Sequence, residues 1–352
     1  MSDPVLISVI IPTYNAGRYL DACLSAIRRC LYVPHEIIVV DNGSVDDSRQ
    51  IADRHGVVLV DCPGPSGPVT ARNEGAKFAQ GNLLLFVDTD VMIHPDVLHR
   101  VLNMFRDQPD VAAVFGSYDT RPAAQNFISQ YKNLLNHFVH QHANSEASTF
   151  WGACGAIRSN VFHKIGGFNT QFNKPAIEDI EMGYRLRRAG YSIVLDKQMQ
   201  GQHLKQWSFS SLIHTDIFCR AIPWTKLVLE SHTQVNDLNL HRSQRASAGL
   251  VGMAAVGSPL TVIEPLVSLA VLSCLMGVFL LNRELFGFFF REKGMRFALP
   301  SFPIHLLYFL YSGTVFSSYW ARHTLVRQSV SLLQGLEKGK VYFFGPRAST
   351  DP

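Results

Sequence analysis

Charged side chains are scarce in this chain, and they are unevenly distributed. Of 352 residues, 17% are charged and 47% are hydrophobic, an apolar composition for a soluble enzyme of this length. Residues 1 to about 240 have mixed polarity, whereas long stretches between 246 and 320 carry almost no charge. The formal net charge is only +4, without a clustered basic stripe, so nucleic-acid binding is not expected. The slight basic excess suits an anionic lipid surface.

Cysteine motifs and a secretion signal are also lacking. The six cysteines are scattered, with no CxxC pair, a pattern typical of reduced, buried thiols and not of a disulfide scaffold. No basic segment precedes an apolar run at the start, so no cleaved signal peptide is expected. The N-terminal domain is therefore expected to stay in the cytoplasm.

Apolar runs alternate with helical patterns in the first part of the chain. Strands are predicted at 6–11, 36–40, 57–60 and 83–87, and helices at 19–29, 47–55 and 71–79. Nearly continuous apolar strands predict an α/β fold with a mostly parallel sheet covered on both faces. Ligands of such sheets bind beyond the carboxyl ends of the strands. Polar residues collect at three such ends: Thr13-Tyr14-Asn15, Asp41-Asn42-Gly43-Ser44 and Asp88-Thr89-Asp90.

The apolar C-terminal region predicts membrane segments. Residues 246–281 contain one charged residue, Glu264, followed by Pro265. A single helix of this length would measure about 50 Å against a hydrocarbon core of about 30 Å, so a hairpin over about 246–282 is expected. Basic residues at both ends place these ends on the cytoplasmic side. They are His241, Arg242 and Arg245 before the hairpin, and Arg283, Arg291, Lys293 and Arg296 after it.

These patterns divide the chain into three regions. Residues 1–240 form a cytoplasmic domain with an interfacial segment from about 208, residues 241–325 a membrane region, and residues 326–352 a C-terminal tail. An interfacial helix is expected at about 284–296 and a third apolar segment at about 297–320. If this segment spans, the basic tail lies outside, against the positive-inside rule, so a re-entrant or in-plane segment stays open. Buried core helices of a soluble domain are the other interpretation, which the total apolar length disfavours.

Two carboxylates one residue apart follow the apolar run that ends at Val87. Asp88 and Asp90 on such a loop can hold a hard divalent cation through oxygen ligands. A cation there would neutralise a diphosphate and help it to leave. An isolated Asp-x-Asp is also typical of a solvated turn, but its position in line with two other polar strand ends favours a site.

Several motifs together resemble the family 2 glycosyltransferases over about residues 6–210. In order they are SVIIPTYNAGRYL, EIIVVDNGSVDDS, ARNEGAKFAQGNLLLFVDTD, IGGFNTQF and EDIEMGYRLRRAGY. The resemblance implies the GT-A fold, which is Rossmann-like. It also implies a nucleotide-diphosphate sugar donor, a divalent metal (Mn²⁺ or Mg²⁺) and inversion at the anomeric carbon.

The resemblance assigns the donor side residue by residue. It implies that a nucleoside-contacting loop is formed by Pro12, Thr13, Tyr14 and Asn15. Asp41 resembles the aspartate that contacts the base, usually uracil, and Arg72 the arginine that approaches the nucleotide. Asp88 corresponds to the aspartate on the ribose and metal side, and Asp90 to the direct metal ligand. Apart from the resemblance, Thr13 and Asn15 would be turn residues and Arg72 a surface charge.

The family's Glu-Asp motif implies a general base at Asp179, with Glu178 as an acceptor-side helper. An acceptor hydroxyl must lose its proton as it attacks the sugar, and a carboxylate at a helix start is a suitable group. Acidic residues also simply stabilise a helix N-terminus, by up to about 1 kcal/mol.

A polar stretch after the strand predicted at 192–195 supplies further candidates. The family often has a third metal ligand here, so His203 is predicted to complete the site with neutral imidazole, although lone histidines are more often structural. Lys205 is predicted to meet a diphosphate or the acceptor side, and Trp207 to stack on an acceptor. The stretch departs from the QxxRW motif of processive members, which favours a single transfer over polysaccharide synthesis.

Trp151 and Gly152 are predicted on the acceptor side, because the family's corresponding region faces the acceptor. Glycine permits close backbone approach and the indole offers an apolar face. A core tryptophan beside tight packing is the alternative.

The sequence thus predicts a hexosyltransferase-type enzyme that moves one sugar from a nucleotide-diphosphate sugar to a membrane lipid or lipid-linked acceptor. The expected donor is a UDP-sugar. A crevice tethered at a membrane meets lipid head groups most often, so the expected place is the cytoplasmic face of a bacterial inner membrane. Lipid glycosylation in the cell envelope would follow. Oligomers are compatible with the sequence. The alternatives are a sugar nucleotidyltransferase, although no Gly-rich phosphate loop is present, and a non-catalytic membrane scaffold with a transferase-like fold.

Overall fold

A mixed β-sheet forms the centre of the N-terminal region. The computed structural model describes residues 6–172, 177–231 and 241–341. Within them eight strands form one sheet, in the order β3-β2-β1-β4-β7-β6-β8-β5. The strands are β1 (Ile7–Thr13), β2 (Glu36–Asp41), β3 (Val58–Asp61), β4 (Leu83–Val87), β5 (Val91–Ile93), β6 (Val111–Tyr118), β7 (Cys154–Arg158) and β8 (Ser192–His203).

Helices cover both faces of the sheet. Those before β8 are α1 (Gly17–Arg28), α2 (Ser48–Arg54), α3 (Pro68–Phe78), α4 (Val97–Asp107), α5 (Phe127–His142), α6 (Ser159–Lys164) and α7 (Glu178–Arg188). The inner strands β1 and β4 are almost entirely buried and lie between two separate apolar clusters. This burial on both faces explains why these strands are continuous apolar runs.

The sheet is less parallel than the sequence indicates. Strands β1 to β4 pair in parallel, as predicted, but β7 runs antiparallel to both β4 and β6. Strand β5 is antiparallel to β8, whereas β6 and β8 are parallel. The strand predicted to end at Leu195 continues to His203, because its later residues pair with β6 and β5 after a register shift.

The C-terminal region is helical. Its elements are α8 (Phe209–His214), a π-helical turn (Thr215–Ala221), α9 (Ile222–Ser231), α10 (Arg242–Gly257), a 3-10 turn (Ser258–Val262), α11 (Val267–Leu281), α12 (Arg283–Lys293) and α13 (Met295–Val341). The predicted turn near Glu264 is present, since α10 and α11 pack together on either side of it. Helix α13 contains the predicted third segment and continues beyond it to Val341. The rest of the predicted tail, 342–352, lies outside the described residues.

Helix α12 joins the C-terminal helical region to the region of the sheet. Its Leu285, Phe286 and Phe289 are buried against Tyr131 and Leu134 of α5. No single helix in the described part of the chain is both long and apolar enough to cross a bilayer. Helices α11 and α12 are long and apolar enough only when taken together, and there is a bend of 66° between them.

A buried ion pair adds a second connection between the two regions. Lys132 Nζ of α5 lies 2.8 Å from Asp216 Oδ1 in the π-helical turn. The other oxygen of Asp216 accepts from the hydroxyl of Tyr311 in α13 at 2.7 Å. Because both charges are buried, each depends on its partner for solvation. The segment predicted to be interfacial from about residue 208 is thus fixed to the sheet through α5.

Candidate functional site

The polar ends of β1, β2 and β4 converge, as the sequence indicates. Thr13 and Asp41 are register partners at the ends of β1 and β2, and the Asn42 N–H donates to Thr13 O at 2.8 Å. The Thr89 hydroxyl, between the two aspartates after β4, donates to Pro12 O at 2.7 Å. The carboxyl ends of three neighbouring parallel strands therefore form one crevice edge.

Asp41 is held on the predicted nucleoside side of this crevice. Its side chain is 2% exposed and lies 2.7 Å from Arg49 Nη1 of α2, and its Oδ1 accepts from the Ser44 N–H at 3.1 Å. Asn15 adopts a left-handed backbone with φ of 47°, and its Oδ1 accepts from the Val45 N–H at 2.9 Å. The loops after β1 and β2 are thereby tied together, with Tyr14 beside them and 49% exposed.

Arg72 connects the donor-side aspartate to the start of α7. The guanidinium is buried; Nη2 donates to Asp88 Oδ1 at 2.6 Å, and Nη1 donates to Glu178 Oε1 at 2.8 Å. Charge-assisted bonds of this kind from a planar fork are strong and directional. Arg72 is therefore a buried link within the site and not a surface charge on α3.

Asp179, the predicted base, is next to this link. The N–H of Gly152 donates to Asp179 Oδ2 at 3.1 Å, and the Ile180 N–H donates to Oδ1 at 2.8 Å. Burial and then the negative charge of Glu178 raise the pKa of Asp179 to about 7, although the Gly152 bond and Arg72 act in the opposite direction. A carboxylate with such a pKa is suited to accept a proton near neutral pH.

Asp90 and His203 meet through the pairing of β5 and β8. His203 is the register partner of Val91, which places its Nε2 3.6 Å from Asp90 Oδ2. The imidazole is buried and stacks on Tyr118 with 4.3 Å between ring centres. Burial raises the pKa of Asp90, but the imidazole of His203 and the charge of Lys205 outweigh it, so this pKa lies below its ordinary value.

The predicted acceptor residues differ in what they can contact. Trp151 packs edge-on against Tyr118, 4.8 Å between ring centres, and against His140. Trp207 is 5% exposed, and its backbone N–H donates to Ser129 Oγ at 2.7 Å. Lys205 Nζ lies 4.2 Å from the centre of the Trp207 ring. Trp207 therefore anchors this stretch to α5, and it presents little surface to an acceptor.

The chain is similar to known glycosyltransferases. Residues 8–166 match the family described as Glycosyl transferase family 2, and residues 132–205 match the N-terminal domain of galactosyltransferase. Residues 8–166 therefore resemble a family 2 glycosyltransferase domain. Validoxylamine A glucosyltransferase of Streptomyces hygroscopicus subsp. limoneus is 28% identical over 62% of this chain and 57% of its own length. The O-antigen chain rhamnosyltransferase WbaN of Salmonella anatum is 26% identical over 62% of this chain and 73% of its own.

Solved structures show that this chain has the GT-A fold. The mannosyltransferase PcManGT of Pyrobaculum calidifontis, solved with GDP-Man and Mn²⁺, superposes with a TM-score of 0.54. That match has 16% identity and covers 90% of this chain and 88% of that one. The chain spans little more than half the length of the validoxylamine A glucosyltransferase that it matches.

The donor set around Asp90 is compatible with a divalent cation. Among the described residues, no group of three or more His, Cys, Asp or Glu side chains is arranged to hold one. Asp90 and His203 supply one carboxylate and one imidazole, which suit Mn²⁺ or Mg²⁺ when a diphosphate supplies further oxygens. One carboxylate oxygen of Asp88, Oδ1, accepts a hydrogen bond from Arg72.

Three contacts of the candidate site were not predicted from the sequence. The first is Arg49 at Asp41, eight positions apart in the chain. The other two, Tyr118 on His203 and the N–H of Gly152 at Asp179, join residues more distant in the chain. The spacing of Arg49, one helical turn beyond the polar end of β2, is the only local sign of its contact. The other two depend on β6 and β7 lying beside β4 and β8 in the sheet.

Proposed function

We propose that this glycosyltransferase moves one sugar from a nucleotide-diphosphate sugar, taken to be a UDP-sugar, to a membrane lipid or lipid-linked acceptor, with inversion at the anomeric carbon. The observation that carries the proposal is the position of Asp179. This carboxylate lies beside Glu178 and Gly152, within the same connected set as Asp88, and its pKa is raised to about 7. The glucosyltransferase and rhamnosyltransferase relatives support a sugar-nucleotide donor.

In the proposed reaction Asp179 accepts the proton of an acceptor hydroxyl. The hydroxyl oxygen forms a bond to the anomeric carbon while the bond from that carbon to the diphosphate oxygen breaks on the opposite face. The nucleoside diphosphate leaves with the electron pair, and the configuration inverts. The Gly152 N–H keeps Oδ2 of Asp179 oriented, so the base does not have to reorient during transfer.

Donor binding is assigned to the edge formed by β1, β2 and β4. Pro12, Thr13, Tyr14 and Asn15 with Asp41 would hold the nucleoside, and Asp88 the ribose side. Asp90 and His203 would hold a divalent cation that neutralises charge on the diphosphate. Lys205, whose ammonium has no carboxylate within 4 Å in the described part of the chain, would add a positive charge on the same side.

The lipid acceptor is proposed from the outer surface of the C-terminal helices. Helices α10, α11 and α13 and their connecting turn expose an unusual number of large apolar side chains, among them Val262, Ile263, Leu269, Leu272 and Met276. Contiguous apolar surface of this kind marks an interaction site. Basic residues stand at the opposite end of the hairpin, at Arg242, Arg245 and Arg283, where they would meet anionic head groups.

This arrangement would place the transferase crevice at a membrane surface. Helix α12 packs on α5 of the catalytic region, and α5 also holds Trp207 and Asp216. An acceptor head group at the membrane would therefore lie close to the residues after β8. We propose the cytoplasmic face of a bacterial inner membrane as the location, with the hairpin in the lipid and a cell-envelope lipid as the product.

A product assay tests the proposed function. The purified protein is incubated with Mn²⁺, a panel of nucleotide sugars and a bacterial lipid extract, and the lipids are analysed by mass spectrometry. One lipid species should gain the mass of one sugar, with release of nucleoside diphosphate and loss of product in EDTA. Release of inorganic pyrophosphate from a nucleoside triphosphate and sugar phosphate would instead indicate a nucleotidyltransferase. Nucleotide binding without any transfer would indicate a non-catalytic protein.

A further inference from the structure

Arg72 differs from Arg158 and Arg185 in what its guanidinium binds. Arg158 donates to the carbonyls of Val111, Phe105 and Pro109. Arg185 donates to two loop carbonyls and to Glu181 Oε1 of its own helix. These two hold backbone together. Arg72 is 3% exposed, and its two bonds go to carboxylates of the site.

The contacts of Arg72 form part of a closed ring. Arg72 joins Asp88 to Glu178, and Glu178 is followed by Asp179 in the first turn of α7. Asp179 accepts from the Gly152 N–H, and the next residue, Ala153, accepts through its carbonyl from the Asp88 N–H at 3.1 Å. The ring therefore returns to Asp88, so the donor-side carboxylate and the proposed base are fixed relative to each other.

Gly152 shows how closely this ring is packed. A Cβ at this position would lie 3.2 Å from Arg72 Cζ, closer than ordinary van der Waals contact. The absence of a side chain lets the Gly152 backbone approach both the guanidinium and Asp179.

We propose that Arg72 is a positioning residue that acts through Glu178 to hold Asp179 in place relative to the donor. The inference rests on the proposed function, because it takes Asp179 to be the base. The planar fork of arginine reaches two carboxylates at once, whereas a lysine ammonium is a point charge that cannot reproduce this geometry. Donor side and acceptor side are thus connected by one guanidinium.

Four variants test this proposal: R72K, E178Q, their double variant and R158K as the control. R72K keeps the charge and loses the fork, so kcat should fall at least about tenfold while the Kd for UDP changes less than about threefold. Because both single changes break the same link, the double variant should be no slower than the slower single variant. R158K should lower the melting temperature without lowering kcat.

Three results would overturn the proposal. The first is R72K with wild-type kcat, the second is a change in KM alone, and the third is strict additivity of R72K and E178Q. If R72K does not fold, E178Q decides the matter, because glutamine lacks the negative charge that makes the bond from Arg72 strong. Wild-type kcat in E178Q would then contradict a link through Glu178. The proposed function fails separately, if D179N retains turnover; an inactive D179N beside a fully active R72K refutes only the role of Arg72.

Discussion

The N–H of Gly152 donates to Oδ2 of Asp179 at 3.1 Å. This bond favours the ionised carboxylate, yet burial and the neighbouring Glu178 are stronger and raise the pKa of Asp179 to about 7. The residue is therefore held in one orientation and remains able to take up a proton near neutral pH. A base needs both properties, because a strongly acidic carboxylate would be oriented but too weakly basic.

The pH dependence of transfer should report this pKa. The rate constant kcat/KM for the acceptor should rise with pH through about 7, because Asp179 is active only when it has lost its proton. In E178Q a negative neighbour is removed, the ionised form of Asp179 is less disfavoured, and the acid limb should move to lower pH by about half a unit to one unit.

The control for this shift is E146Q, which removes a carboxylate from an exposed ion pair with Arg187. Its profile should match that of the wild-type enzyme. An acid limb that stays in place in E178Q, or moves to higher pH, would show that Glu178 does not govern the titration of the base.

Metal dependence should depend on Asp90 and His203. D90A removes the carboxylate that lies 3.6 Å from the imidazole, so the stimulation of donor binding by Mn²⁺ should be lost. H203Q should weaken the stimulation by Mn²⁺ about tenfold or more, because a residue that supports a metal site is removed. Isothermal titration of UDP with and without Mn²⁺ measures both effects. The control D96A alters a surface pair with Arg100, and an equal Mn²⁺ effect in D90A and D96A would refute the assignment.

Membrane binding should depend on the exposed face of α11. Leu269, Leu272 and Met276 are each about three-fifths exposed at 63%, 61% and 58%, and they repeat at helical spacing. Replacing all three by serine should reduce flotation with phosphatidylglycerol-rich vesicles at least tenfold, because each buried side chain contributes about 1.5–3 kcal/mol. UDP binding should not change.

The matched control replaces three exposed apolar residues of the transferase region, Leu31, Val33 and Val45, by serine. This variant should float like the wild-type protein. Equal loss in both variants would indicate a general effect of apolar surface, and unchanged flotation in the α11 variant would place the membrane contact elsewhere.

Short-range patterns predicted the strands and the polar strand ends well. Strand β4 was predicted with its observed bounds, because a buried apolar run is ended abruptly by Asp88. Pairings between distant segments could not be predicted in this way. Nothing local indicates that β7 inserts antiparallel between β4 and β6, or that β8 continues past the charged pair Asp196-Lys197 to bring His203 to Asp90.

The same limit applies to side chains within the site. The motif around Arg72 predicts that this residue approaches the nucleotide. The motif does not predict the bond from Arg72 to Glu178, which is 106 positions away. Trp207 is buried, and its backbone N–H donates to Ser129 of α5. The sequence around Trp207 does not reveal that contact. Motifs identify which residues take part, whereas the tertiary packing determines which of them face each other.

The most direct test of the account is the turnover of D179N. Asparagine keeps the size and one oxygen acceptor but cannot take up the proton, so transfer should fall by about 10²–10⁴-fold, while UDP binding in the presence of Mn²⁺ stays within about threefold of the wild-type value. D53N, at an exposed aspartate of α2, is the control and should keep full activity. A D179N enzyme that retains most of its turnover would contradict the assignment of Asp179 as the base.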